Sequence, residues 1–163
     1  MRVRGNLTIS NEEGVATTAH CFDDVLDREL FKDRTVVLNS DVDEYIAGKI
    51  TRAFAILSNT PEPILLLISS HGGEIDSGTT IIRAIRSAQE KGCEVIGEVR
   101  GYAMSMAAII LQFADARFAS DNDIIMFHGA TGINIGDVRN QEADLKLTTR
   151  IMEDWAKFLA ARS

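Results

Sequence analysis

Three short stretches carry residues whose types and spacing could do chemistry rather than packing. In "GYAMSMAA", Ser105 follows a predicted strand and opens a predicted helix. A serine hydroxyl becomes a nucleophile only when a base takes its proton, and a helix amino end favours negative charge nearby. The small neighbours Gly101, Ala103, Ala107 and Ala108 leave room for a substrate backbone. In "DIIMFHGA", His128 ends a short apolar run and precedes Gly129. An imidazole there suits a general base, because it titrates near working pH. In "ISSHGGEIDSG", two glycines sit where an apolar strand turns into a helix. The stretch has neither the Gly-x-Gly-x-x-Gly spacing nor the lysine of a phosphate loop, so an outward-facing amide is the better use. An amide of this glycine turn, paired with that of Met106, would stabilise the oxyanion of a tetrahedral intermediate. Each stretch also has a plain reading: a capping serine, a hydrogen-bonded strand-end histidine, a packing turn. "AMSMA" is not the Gly-x-Ser-x-Gly elbow of α/β-hydrolases. His20 and His71 compete with His128 for the role of base, His71 as second choice.

The elements around these stretches alternate. "TVVL" (35–38) and "ILLLIS" (64–69) are short apolar runs of strand length, and a continuous apolar run suits a parallel sheet covered on both faces. Between them Ile46, Ile50, Phe54 and Leu57 recur every three or four residues, which predicts an amphipathic helix with Asp41 or Asp43 at its cap. Pro61 and Pro63 stop it. Ile81, Ile82 and Ile85 predict a second helix, ended by Gly92. "CEVIGEV" is the next strand, "SMAAIILQFA" a tightly packed helix, and "ARFA" and "DIIMFH" two short strands. Residues 1–22 read as a loose or hairpin-like arm. From about Asp137 to Ala161, Leu145, Met152, Trp155 and Leu159 form one stripe of a helix roughly 35 Å long. Strand–helix alternation predicts an α/β fold with right-handed crossovers, whose ligands gather at the carboxyl ends of strands. Those ends fall after Ser69, Val99 and Phe127.

Composition excludes several classes. With 17 basic against 24 acidic residues among 163, the net charge is −7, which argues against a broad nucleic-acid or acidic-membrane surface. Cys21 and Cys93 make no Cys-x-x-Cys pair, and the three histidines lack metal-ligand spacing. Two reduced thiols and the lack of an apolar core in the first thirty residues point to a cytoplasmic protein.

In this order and spacing, "ISSHGGEIDSG", "GYAMSMAA" and "IMFHGA" resemble the proteolytic subunit of the Clp peptidase family, and "ELFKDRTVVLNSDVDEYIAGKI" is similar to that family's entry into its first strand and helix. The likeness spans roughly residues 22–158. It implies a crotonase-like (ClpP-type) α/β fold of repeated β-β-α and βαβ units, with a long projecting C-terminal handle helix. By the same resemblance, residues 1–22 form an axial-loop-like arm, 22–136 the catalytic core and 137–163 the handle. It also implies a serine endopeptidase with Ser105 as nucleophile, His128 as base, and Gly73 and Met106 at the oxyanion hole. No cofactor or metal is implied, since ATP is used only by a partner AAA+ ATPase of Clp type. The implied assembly is a homo-oligomer of heptameric rings, stacked through the handle, enclosing peptide or unfolded-protein substrate. "HGATGINIGDV" is similar to the segment that pairs with extended substrate by strand addition.

The sequence departs from the family pattern. His71 stands where proline is usual, and Gly129-Ala130 where Gln-Pro is usual, which suggests a divergent, viral-type member. The family's orienting aspartate comes from beyond the handle, and the sequence ends at Ser163. Asp137, Asp144 and Asp154 lie within the handle region and none matches it, so the third triad member is unassigned. Three rival readings follow: a non-catalytic or weakly active ring or assembly subunit, a capsid-maturation peptidase of the same family, and an acyl-CoA enzyme of crotonase type.

Overall fold

The structure is a computed structural model that describes residues 7–10, 16–19, 22–128, 146, 149–157 and 160. The chain divides into two compact units, Met1–Ile125 and Met126–Ser163.

The first unit opens with β1 (Leu7–Ser10) and β2 (Ala16–Ala19), an antiparallel pair. Helix α1 (Phe22–Lys32) follows, where the sequence pattern predicts no separate helix. Then come β3 (Thr35–Leu38), α2 (Glu44–Leu57), β4 (Ile64–Ser70), α3 (Ile75–Glu90), β5 (Val95–Met104), α4 (Met106–Gln112), β6 (Ala116–Phe118) and β7 (Ile124–Met126). The second sheet runs β3-β4-β5-β6, all pairs parallel, and β7 also pairs with β5.

Local chemistry sets the boundaries. Asp43 caps α2 by accepting a bond from the Ile46 amide at 2.8 Å, filling one of the donors that a helix start leaves open. At the other end, the Arg34 guanidinium donates to the carbonyls of Leu57, Glu62 and Pro63 at 2.9 to 3.0 Å. One side chain thus holds the proline-broken connection into β4. Gly92, with φ 89°, takes the left-handed position just past α3.

The core is aliphatic. Leu38, Ile50, Phe54, Ile64, Leu66, Ile68, Ile81, Ile85, Ile110 and Leu111 are almost fully buried, each supplying roughly 1.5 to 3 kcal/mol on transfer from water. Strand β4 is not buried evenly: Ile64, Leu66, Ile68 and Ser70 are buried, and the residues between them only half so. Helix α4 presses on β5, where a Cβ on Gly97 would meet the Leu111 side chain at 2.8 Å.

Strand β5 differs from the sequence expectation. It does not end at Val99 but runs to Met104 through a bulge. Ile68 pairs with Val99 and Ser70 with Ala103, so one residue of β4, Ser69, faces three of β5, Arg100 to Tyr102. The carboxyl end nearest Ser105 therefore lies at Met104.

In the second unit, residues 149–157 are helical, with Met152 and Trp155 half-buried and Lys157 near Asp154 at 3.8 Å. Leu145, Leu159 and the stretch "GATGINIGDV" lie outside the described residues. Among the described residues, no helix is long and apolar enough to cross a membrane.

Candidate active site

Ser105 occupies the single residue between β5 and α4. Its φ is 50° and ψ −122°, a region that side chains with a Cβ rarely enter and that costs on the order of 1 to 3 kcal/mol. Such strain persists only where surrounding packing imposes it, and it clusters at functional turns. Here the imposing element is the glycine loop. A Cβ on Gly72 would fall 2.7 Å from the Ser105 Cβ, 2.7 Å from the Met104 carbonyl oxygen and 2.8 Å from the Met106 nitrogen. Gly72 is buried, and its φ of 100° suits glycine. The first two sequence stretches are thus one corner: the loop after β4 is pressed backbone-first against the serine turn.

That loop is fixed from behind. The buried Ser70 hydroxyl donates to the Ser40 carbonyl at 2.6 Å and accepts from the Gly72 amide at 3.1 Å. Val42, in the connection after β3, donates to the Gly72 carbonyl and accepts from the Glu74 amide, both at 2.8 Å. This short parallel bridge pairs Val42 with Gly73, so the Gly73 amide lies on the side away from Val42. Gly73 leaves no room for a side chain, since a Cβ would strike the Val42 backbone. Gly73 itself is exposed.

Met106 begins α4, so its amide is one of those with no partner inside the helix. Its side chain is buried and lies over Gly78 of α3, where a Cβ would come within 3 Å of three Met106 atoms. Bare helix backbone at Gly78 thereby locks the start of α4.

His71 is exposed and stacks on Tyr102 of the β5 bulge, ring centroids 4.4 Å apart. His128, two residues past β7, belongs to the second unit and is exposed. The corner assembled within the first unit thus holds Ser105, Gly73 and Met106. Of the aspartates weighed as a third member, Asp154 is exposed on the C-terminal helix, and Asp137 and Asp144 lie outside the described residues. No cluster of three metal-binding side chains occurs among the described residues.

Sequence reasoning misses Asp123. Its carboxylate accepts from the Gly101 amide at 2.7 Å and from the Ser120 amide at 2.6 Å. Those two amides, Ser120 first, hold the Asp123 carboxyl below the ordinary carboxylate range, with Arg100 adding to the effect. The run "SDND", rich in turn formers, is the signal that could have found it.

The sheet and its corner define an α/β protein that presents one serine, under backbone strain, at the carboxyl end of a parallel strand. A profile of the Clp protease family matches residues 17–163. ATP-dependent Clp protease proteolytic subunit 3 of Streptomyces coelicolor is 32% identical over 149 residues, covering 87% of this chain and 67% of its own length. Proteolytic subunit 1 of Streptomyces avermitilis matches to the same extent. Proteolytic subunit 1 of Chlamydia trachomatis is 30% identical over 135 residues, covering 80% and 68%. The chain belongs to the Clp protease family: it is a ClpP-like serine-type endopeptidase with the crotonase-like α/β fold. The non-catalytic, capsid-maturation and acyl-CoA readings are not favoured.

Proposed function

We propose that Ser105 is the nucleophile of this peptidase, His128 its general base, and the amides of Gly73 and Met106 its oxyanion hole. The imidazole takes the hydroxyl proton as Oγ adds to the scissile carbonyl carbon. The carbonyl oxygen, now an anion, is met by the two amides. The imidazole returns the proton to the departing amine, and water repeats the sequence on the acyl-enzyme. The observation that carries the assignment is the positive φ of Ser105 where Gly72 is packed against it. A fluorophosphonate probe tests it: wild type should be labelled and Ser105→Ala should not, and equal labelling of the two rejects the nucleophile.

The enzyme works, in this reading, as a homo-oligomer of heptameric rings in the cytoplasm, fed with unfolded protein by a Clp-type AAA+ ATPase and needing no cofactor of its own. Residues 137–163 form the handle between rings and residues 1–22 line the axial entry. Large apolar side chains exposed at Tyr45, Ile56, Phe118 and Ile124 supply surface for neighbouring copies to cover. Trp155→Glu should weaken assembly more than folding, and unchanged sedimentation would contradict the handle assignment.

A further inference from the structure

In the bulge of β5 a backbone amide bonds to a side chain rather than to β4 or β6. Between Val99 and Ala103 the ladder with β4 is interrupted, and the β5–β6 register ends at Glu98 and Phe118. Gly101, at the centre of the interruption, has φ 93°. Its N–H donates to a side chain, Oδ1 of Asp123, at 2.7 Å. The same carboxylate is fixed from its other oxygen: Oδ2 accepts from the Ser120 amide at 2.6 Å, and the Asp123 amide donates to the Ser120 carbonyl at 3.0 Å. One residue therefore closes the turn from Ser120 to Asp123 and accepts from the amide at the centre of the bulge.

The length of that bulge decides where Ser105 falls. After it, Ala103 resumes pairing opposite Ser70, the residue whose hydroxyl holds the Gly72 amide. Two positions further on, Ser105 lies against Gly72. Removing or adding one residue to the bulge would shift the strand by about 3.3 Å and turn each following side chain to the opposite face. Bulges beside active sites commonly re-aim a side chain in this way.

We propose that Asp123 is a positioning residue: by bonding the Gly101 amide it fixes the bulge in β5 and so holds Ser105 at the glycine loop. The inference rests on Ser105 being the nucleophile. The charged group facing Asp123 is Arg100 of β5, itself paired with Glu98 at 2.7 Å. Replacing Asp123 by Ala removes both acceptors. Asp123→Asn keeps one, since its carbonyl oxygen can still accept from Gly101 while its NH2 group cannot accept from Ser120.

The test uses the full chain with 15N-labelled glycine and two readouts. The Gly101 amide resonance should lie far downfield, move as Asp123 titrates, shift upfield in Asp123→Ala and stay largely downfield in Asp123→Asn. The rate of fluorophosphonate modification should fall about tenfold to a hundredfold in Asp123→Ala, as misplacement of a reacting group does, and recover in part in Asp123→Asn, with all three proteins folded at the assay temperature. A modification rate unchanged in Asp123→Ala overturns the inference, as does a loss that disappears on cooling a thermally weakened variant. If wild type itself is not modified, the nucleophile assignment fails. The bond is then judged on the amide alone, and a Gly101 signal indifferent to Asp123→Ala overturns it.

Discussion

The two ends of the β5 bulge are held in opposite ways. Towards Ser105 the chain is fixed by contact: Gly72 offers bare backbone to Met104, Ser105 and Met106, and the atoms it meets there are uncharged. Towards Gly101 it is fixed by a carboxylate that accepts two amide bonds. A corner made by close approach should be indifferent to pH and intolerant of one added carbon. A corner made by a charged acceptor should be the reverse, tolerant of size and sensitive to protonation. The strain at Ser105 belongs to the first kind, because only rigid packing on both sides can keep a non-glycine residue at φ 50°.

The strongest test of the contact corner is Gly72→Ala. The new methyl group would meet three atoms of the serine turn within 3 Å, at a backbone angle that favours glycine. Overpacking of this kind costs roughly 1 to 3 kcal/mol, and the left-handed backbone about 1 to 2 more. Modification of Ser105 should fall by about a hundredfold or more, because a shift of about 1 Å is enough for that, and the thermal midpoint should drop by several degrees. Probe kinetics and a thermal scan on the same preparation check both. A wild-type rate would show that the corner relaxes and that Ser105 does not depend on Gly72.

Ser70→Ala removes the clamp behind the loop without touching its surface. The buried Gly72 amide loses its partner, as does the carbonyl of exposed Ser40, and the unpaired buried amide costs about 1 to 3 kcal/mol. Denaturant unfolding should show that destabilisation at unchanged slope, and modification of Ser105 should slow less than in Gly72→Ala.

Gly78→Ala sets two effects against each other. Alanine gains up to about 1 kcal/mol over glycine inside a helix, but its methyl group would press on the buried Met106 side chain. Overpacking, at roughly 1 to 3 kcal/mol, outweighs that gain, so the variant should be slightly less stable. Adding Met106→Ala removes the clash, and the double variant should be more stable than the sum of the singles predicts. Strict additivity would mean that Met106 moves aside freely and does not lock α4.

These contrasts also separate what the sequence makes legible from what it does not. The spacing of Ile50, Phe54 and Leu57 places α2, because burial on one face of a helix imposes a period, and the unbroken apolar run from Ile64 places β4 by its strand length. Ser105 at a strand-to-helix junction follows from the same patterns. The positive φ of Ser105 does not, since "AMSMA" lacks the flanking glycines that usually mark such a turn, and the glycine that imposes it lies 33 positions earlier. The extension of β5 past Val99 is hidden for a related reason: Arg100 and Gly101 interrupt the apolar run, and the bulge they form depends on an acceptor 22 residues away. Helix α1 is hidden by its charge, with Asp23, Asp24, Asp27, Arg28 and Glu29 among its eleven residues.

The smallest expected effect is also the one that only the charged corner can show. The Ser120 and Gly101 amides, helped by Arg100, hold the Asp123 carboxyl below its ordinary value in the folded protein. A group with a depressed folded-state pKa adds stability above its unfolded value, roughly 3.9 for aspartate, and the contribution fades as pH falls through the lower folded value. The difference in unfolding free energy between wild type and Asp123→Asn should therefore be flat above about pH 5 and shrink steadily below about pH 4. Asp123 is partly exposed, so the change is small, and salt should reduce the part due to Arg100 more than the part due to the two amides. Gly72→Ala, measured against wild type over the same range, should show no such slope between about pH 5 and about pH 3, because the three atoms its methyl group would meet are uncharged backbone and the Ser105 Cβ. A parallel slope in both variants would mean that the two ends of the bulge are coupled into one titrating unit, and the distinction between contact and charge would fail.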